Sequence, residues 1–166
     1  MNEQMKAGFE YLVEVIDKNG VVQDAEVIKN LMPVEGITHV LNTILKGGAA
    51  VATWYVGLYE GNYTPTTPDI AATFPALATE STAYDAATRV AFVPGAIAAG
   101  NVDNSASKAE FTMTADKTIY GGFISSASAK GSTSGVLLSA VRFGSPKSIE
   151  AGGVLRVTAG FTLASA

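Results

Sequence analysis

Residues 9–28 read FEYLVEVIDKNGVVQDAEVI, two alternating runs of apolar and polar side chains joined by Lys18-Asn19-Gly20. Alternation with a period of two, in segments rich in Val, Ile and aromatic residues, is typical of a half-buried β-strand. An Asn-Gly pair between two such runs is a turn signal. This stretch therefore predicts a β-hairpin at the start of the chain.

The length of the turn sets the register of this hairpin. A two-residue turn places the acidic residues Asp24 and Glu26 opposite valines, which mixes apolar and acidic side chains on one face. A three-residue loop with Gly20 in the left-handed conformation gives one apolar face instead. Because a slip of one residue moves every side chain to the other face, we expect the three-residue loop. Its pairs are Val15 with Gln23, Val13 with Ala25 and Tyr11 with Val27.

The next segment carries the signals of one helix. Pro33 suits a first turn, Glu35 complements the positive end of a helix dipole, Lys46 complements the negative end, and Gly47 is a candidate left-handed cap. An apolar stripe at spacings of three and four residues predicts the face that packs against a sheet. The stripe consists of Val34, Ile37, Leu41, Ile44 and Leu45. His39 lies on the opposite, polar side of this helix.

Beyond the helix, short apolar runs alternate with turn-like separators rich in Gly, Asn, Asp and Ser. The predicted strands are residues 54–59, 89–93, 109–114, 118–125, 135–143 and 154–163. Several short strands with regular turns indicate a mainly β protein, an antiparallel β-sandwich or jelly roll with an N-terminal hairpin and one amphipathic helix. Residues 61–79, which contain Pro65, Pro68 and Pro75, predict a long loop of the kind that often forms an interface.

Composition bounds the function. The chain has 166 residues, no cysteine, one histidine and a formal net charge of −4. This length fits a single domain, residues 1–166, in which we expect residues 1–7 to form a flexible arm. A mildly acidic chain without a basic run lacks the charge that drives binding to nucleic acid or anionic lipid. The first residues also lack the pattern of a secretory signal, so no export is expected.

The sequence offers no catalytic set, and we expect neither enzymatic activity nor a cofactor or metal. His39 is the one histidine available for a nucleophilic triad, and we interpret it as a solvated helix residue. Turn chemistry explains Asp17 and Asp103 better than calcium binding does. The double glycines match no phosphate-binding spacing. Paired carboxylates for glycoside cleavage remain an alternative; the candidates are Glu60, Asp69, Glu80 and Asp85.

Aromatic residues offer a second alternative. Trp54, Tyr55 and Tyr63 could line a platform of a carbohydrate-binding β-sandwich module. Aromatic residues on strands are more often part of the core, which is the interpretation we favour for Trp54 and Tyr59.

One family resemblance extends over most of the chain. The run WYVGLYEGNYTP at 54–65, followed by DIAATF at 69–74 and TESTAY at 79–84, resembles virion proteins of tailed bacteriophages. The likeness continues through TIYGGFIS at 118–125 and GGVLRV at 152–157. Proteins of this kind are small, enzymatically inert and assembled in many copies. Several are capsid cement proteins, also called decoration or head-stabilising proteins.

The resemblance implies a capsid decoration protein that binds across subunits of the major capsid protein and stabilises the phage head. It also implies a homo-oligomer on the capsid surface of the virion, made in the cytoplasm of the bacterial host. A tail or head-fibre component is the structural alternative. We expect residues 1–7 and 61–79 to reach neighbouring subunits, with Tyr63, Pro65 and Phe74 as contact residues.

Overall fold

The structure, a computed structural model, describes residues 6–164. Strands dominate it, and two helices interrupt them. The elements in chain order are β1 (Lys6–Ile16), β2 (Val22–Lys29), α1 (Val34–Leu45), β3 (Trp54–Tyr59), α2 (Phe74–Leu77), β4 (Glu80–Ser81), β5 (Val90–Phe92), β6 (Asn101–Asp103), β7 (Ala109–Thr112), β8 (Lys117–Ser125), β9 (Leu137–Ile149) and β10 (Val154–Ala164).

The strands form two five-stranded antiparallel sheets. The first sheet has the order β2-β1-β10-β6, and β7 also pairs with β10. The second has the order β4-β3-β8-β9, and β5 also pairs with β3. The expected fold class, a mainly β antiparallel sandwich with an N-terminal hairpin and one amphipathic helix, is confirmed.

The main core lies between the two sheets. Alternate residues of β1, among them Tyr11 and Val13, are buried there against Ile119 and Ile124 of β8. The period-two alternation of a strand sends every second side chain into this layer. Residues 6 and 7 of the expected arm belong to β1, where Ala7 pairs with Leu163, and residues 1–5 lie outside the described residues.

A second, smaller core covers the outer face of the second sheet. Residues 61–79, expected as a long loop, fold back over this face and contribute Phe74 to a cluster with Tyr59 and Phe123. The two strand aromatics lie over glycines of the neighbouring strand, because Tyr59 pairs with Gly121 and Phe123 pairs with Gly57. A Cβ at either glycine would lie within 2.3 Å of the facing ring. The glycines therefore provide the space that the aromatic layer needs.

The hairpin has the expected loop and a register that the sequence did not predict. Asp17 pairs with Val21 through a 2.9 Å backbone hydrogen bond, so the loop has three residues, and Gly20 has a φ of 84°. A bulge then shifts the pairing by one residue. Val15 lies opposite Asp24 and Val13 opposite Glu26, so the expected pairs with Gln23 and Ala25 are wrong.

A cation from the other sheet explains this register. The Nζ of Lys147 lies 2.8 Å from Asp24 Oδ2 and 2.7 Å from Glu26 Oε2, and the Lys147 side chain is only 3% exposed. The backbone N–H of Gly144 donates a further 2.7 Å hydrogen bond to Glu26 Oε1. Carboxylates on the inward side of the edge strand are acceptable because each has a partner there.

These contacts come from an irregular part of β9. The expected strand ended at Phe143, whereas β9 continues to Ile149 through an irregularity in its pairing with β8. Pro146 lies in this irregular segment, where the missing N–H breaks no regular ladder. The irregularity turns residues 144–147 toward β2 and so links the edges of the two sheets.

Helix α1 is rotated relative to the sequence prediction. The apolar stripe that was expected to pack on a sheet faces outward, with exposed fractions from 42% at Ile37 to 75% at Leu45. The inward face carries Gly36, whose position would place a Cβ 2.5 Å from the carbonyl oxygen of Leu138. His39, expected on the solvated side, is half-buried, and its ring centre lies 5.5 Å from that of Trp54 in an edge-to-face arrangement.

Candidate functional site

Two apolar surfaces distinguish this protein, and the first is the outer face of α1. We call this surface the helix face; it consists of Val34, Ile37, Leu41, Ile44 and Leu45, all exposed. Single exposed aliphatic residues are normal, whereas a contiguous apolar patch marks an interaction site. The helix face is such a patch because its members follow one another on three turns of one helix.

Several contacts fix the orientation of α1. The Glu35 carboxylate accepts hydrogen bonds from the backbone N–H groups of Ala71 at 2.9 Å and Leu137 at 2.6 Å. The N–H of Val34 donates to the carbonyl of Thr67 at 2.9 Å. With Gly36 against β9, these bonds allow α1 no freedom to turn its apolar side inward. The exposure of the helix face is thus built into the fold.

The second surface is residues 93–100, which we call the apolar arm. Its sequence, VPGAIAAG, contains no polar side chain, and all eight residues are exposed. Ile97 is 79% exposed, the highest value among the large apolar residues. The sequence prediction did not include the arm: Val93 ended a predicted strand, and residues 94–100 were assigned to no element. The available signal was a run of eight residues without a polar side chain, which itself contains Pro94, Gly95 and Gly100.

The arm is one limb of a tight hairpin. Ala98 and Asn101 exchange two backbone hydrogen bonds of 2.9 Å, and the residues between them, Ala99 and Gly100, have φ values of 48° and 77°. Positive φ at both central positions is the signature of a type I′ turn. The N–H of Gly95 also donates to the carbonyl of Asp103 at 2.7 Å, which binds the arm to β6. The apolar arm is therefore held in a fixed conformation.

A groove with a volume of about 620 Å³ lies between α1 and the start of β1. Ile37 of the helix face, Met32 and Phe9 contribute to its lining. Its ionisable residues are Glu10 and Lys29, which pair across β1 and β2. This groove offers apolar contact beside the helix face and no converging pair of acids.

The three predicted contact residues have different environments. Phe74 is fully buried under Tyr63, so the expectation that its ring contacts a partner is wrong, and the reason is its place in the second core. Tyr63 is half-buried, and its hydroxyl donates to Asp69 Oδ1 at 2.7 Å. Burial and this hydrogen bond both raise the pKa of Tyr63. Pro65 is half-buried in a shallow groove beside Arg142. Contact of Tyr63 and Pro65 with a partner stays a prediction.

The aromatic residues of the possible carbohydrate platform do not share one surface. Trp54 packs with the main core, on the side of His39. Tyr55 is its neighbour on β3, and successive strand residues point to opposite faces. Tyr63 belongs to the second core. Tyr59 is fully buried, as the sequence indicated.

Three of the four candidate acids have a structural partner of their own. Glu80 forms a bidentate pair with Arg89 at 2.7 and 2.8 Å, and the Arg89 side chain is 1% exposed. Glu60 Oε2 lies 3.0 Å from Lys117 Nζ. Asp69 accepts hydrogen bonds from Tyr63 and Thr66 rather than facing a second carboxylate. These contacts give Glu60, Asp69 and Glu80 structural roles.

Arg89 organises the outer face of the second sheet. Its guanidinium also donates to the carbonyls of Ala127 at 3.0 Å and Ser132 at 3.2 Å, and it lies 5.0 Å from the centre of the Phe123 ring. The same Glu80 carboxylate accepts the N–H of Gly131 at 2.9 Å. This buried pair therefore holds residues 126–135 onto the sheet.

The acidic turns behave as the sequence indicated. Asp17 Oδ1 accepts the N–H groups of Asn19 and Val21 at 2.9 Å, and Asp103 Oδ1 accepts that of Ser105 at 2.9 Å. The backbone hydrogen bond from Val21 is the main cause of the lowered pKa of Asp17. Over residues 6–164, no group of three His, Asp or Glu side chains is arranged to hold a metal ion. Neither helix in this range is long and apolar enough to cross a membrane.

Fold and surfaces together define the class: an antiparallel β-sandwich that presents apolar contact surfaces. No protein-family model matches the chain, and no curated protein sequence matches it either.

Proposed function

We propose that this chain is a capsid cement protein of a tailed bacteriophage, which binds across subunits of the major capsid protein and stabilises the head. The sequence resemblance to tailed-phage virion proteins suggests this class. The observation that carries the proposal is the apolar arm, a rigid exposed hairpin limb with no polar side chain over eight residues. Such a limb is stabilised when a partner covers it, because burial removes its apolar surface from water.

The position of the arm suits contact with a shell. It extends the edge of the first sheet beyond β6, and the N–H of Leu163 donates to the carbonyl of Gly100 at 2.8 Å. Leu163 is itself exposed and enlarges the apolar surface at this edge. We expect the arm, led by Ile97, to contact the major capsid protein.

Cementing needs many modest contacts rather than one strong contact. A domain that lies across two shell subunits raises the free energy needed to separate them. Interfaces of about 1,600 Å², repeated over a symmetric lattice, stabilise the lattice collectively without high affinity at each site. The two cores and the Arg89–Glu80 pair make the domain rigid, so the domain loses little conformational entropy on binding.

The test uses phage particles stripped of this protein. Adding the wild-type chain should raise the temperature at which the particles rupture, and cryo-EM should show it on the capsid surface. Ile97→Asp should abolish both effects, because a charge replaces the most exposed apolar contact. Val21→Asp is the matched control, since Val21 is also exposed and apolar but lies in the hairpin turn that precedes β2.

Three results would count against the proposal. One is an unchanged rupture temperature at saturating occupancy. Another is density confined to the tail or a fibre, which would favour the tail or head-fibre alternative. The third is equal loss of binding in Ile97→Asp and Val21→Asp, which would remove the arm as the shell contact.

A further inference from the structure

The residues of the helix face follow a regular spacing. Val34, Ile37, Leu41 and Ile44 are separated by three, four and three residues, and α1 runs without interruption from Val34 to Leu45. This alternation of three and four is the a/d pattern of a helix–helix seam, in which side chains of one helix insert between those of another. A face with this spacing can therefore pack against a helix as well as against a sheet.

We propose that the partner is α1 of a second copy of this chain, packed across a two-fold axis. A two-fold interface brings the same patch of both copies together, so the patch must be complementary to itself. The helix face meets this condition, because its members are all aliphatic and no charge lies among them. Thr38 and Asn42, exposed on the same helix, are uncharged as well.

The charged residues of α1 do not oppose this pairing. Glu35 is the acidic residue of the first turn, and its carboxylate is bonded to the N–H groups of Ala71 and Leu137 on the inner side. The last turn of α1 contains no basic residue. Two copies of the face can therefore approach without placing like charges against each other.

The available area is adequate for a specific dimer. From their exposed fractions, the five side chains of the helix face leave roughly 400–500 Å² accessible on each copy. Two copies together thus approach the ~1,000 Å² that a specific interface needs. Within residues 6–164, α1 is also the one helix longer than a single turn, so a second α1 is the helical partner that this chain can supply.

The biological role of this pairing rests on the proposed function. The pairing itself can be measured without phage particles. In sedimentation velocity, the purified wild-type chain should be a dimer at micromolar concentration. Leu41→Lys should raise the dissociation constant at least about thirtyfold, because it places two charges in the centre of the seam. Val21→Lys also replaces an exposed aliphatic side chain by a lysine, but just before β2, and should leave the dimer intact.

A second measurement does not depend on weakening the dimer. The chain contains no cysteine, so a single cysteine can report contact between copies. Each of Ile37, Thr38, Leu41 and Asn42 is changed to cysteine in turn. At least one should give a reducible dimer under mild oxidation, because the two-fold axis passes through this region and brings one of them within disulfide reach of its own copy. Val21→Cys should remain monomeric on a denaturing gel.

The decisive concentrations are those of the expected dimer range, about 1–100 μM. A monomer throughout that range, or a dimer that survives Leu41→Lys and forms no disulfide at the four positions, would overturn the pairing. Particle binding by a strictly monomeric chain would overturn the pairing and leave the cement function standing. A dimer that does not bind particles would support the pairing and overturn the cement function.

Discussion

Lys147 on β9 and Glu26 on β2 form an ion pair of 2.7 Å that joins the edges of the two sheets. Lys147 also holds Asp24, and its own side chain is almost completely buried. The pair therefore neutralises an acidic strand face that would otherwise oppose the main core. Its removal should affect the whole sandwich rather than one loop.

Lys147→Met should lower the free energy of unfolding by about 1–3 kcal/mol, because it leaves the partly buried carboxylate of Glu26 without its cation. The cost lies below that of a fully buried pair, since water reaches Asp24. Urea denaturation of wild type and variant measures the difference.

The matched control is Lys18→Met, which removes an exposed pair with Glu150 at 3.6 Å. This change should cost less than about 1 kcal/mol. Equal losses in the two lysine variants would show that the Lys147 contacts contribute no more than an ordinary surface pair.

The same contact predicts a dependence on pH. The hydrogen bond from Lys147 lowers the pKa of Asp24, so the folded state holds this proton less tightly than the unfolded chain does. The stabilisation is therefore present above the ordinary aspartate pKa of about 4 and is lost as the pH falls through the lowered folded value. In thermal denaturation, wild type should exceed Asp24→Asn in melting temperature at pH 7, and the gap should close toward pH 3. A gap that does not change with pH would contradict this origin.

Arg89→Met should be among the most destabilising single changes. It leaves the buried Glu80 carboxylate without its cation, at a cost of about 3–5 kcal/mol. The double variant Arg89→Met with Glu80→Leu removes both charges and should recover more than half of this loss. Chemical denaturation of the three proteins checks the coupling. Additive losses in the double variant would mean that the two side chains do not act as a pair.

The local sequence was sufficient to predict most strands. β3 covers the expected residues 54–59, and β8 and β10 each extend the expected strand by one residue. These strands are predictable because their apolar runs end at turn residues, and the burial of alternate residues is a local property. The short β4 and β6 were missed, since two or three residues form a strand only where a neighbouring strand is present.

The hairpin shows where local reasoning fails. Its loop was predicted correctly from Lys18-Asn19-Gly20, but the bulge beyond it was not. The local pattern favoured an apolar face for β2, because it contains no information about Lys147, which lies 123 residues from Asp24 in the sequence. A distant cation made the acidic register the stable one.

The predictions for the helix stripe and for Phe74 were wrong for a related reason. The periodicity of α1 correctly gave a helix and an apolar stripe, but periodicity does not say whether the stripe meets the same chain or another molecule. Phe74 was expected at an interface because its segment was predicted to be a long loop, and in the structure that segment covers a second core. In both cases the residue pattern was right and the identity of the surface that covers it was not.

Gly36→Ala tests the orientation of α1 directly. In an exposed helix position, alanine is more favourable than glycine by about 1 kcal/mol, so a helix with its apolar stripe turned inward would gain stability. Here the new Cβ would lie 2.5 Å from the Leu138 carbonyl oxygen and 2.9 Å from that of Leu137, both on the backbone of β9. We therefore expect a loss of about 1–3 kcal/mol, since α1 must move away from the strand to admit one methyl group.

Thr38→Ala is the control for this change, because Thr38 is exposed on the same helix. It should raise the free energy of unfolding by up to about 0.5 kcal/mol through helix propensity alone. Opposite signs for the two alanine variants in urea denaturation would fix Gly36 against β9 and the helix face in solvent. A gain in stability from Gly36→Ala would instead place the apolar stripe against the sheet, and the proposed pairing of α1 with a second copy would then lose its surface.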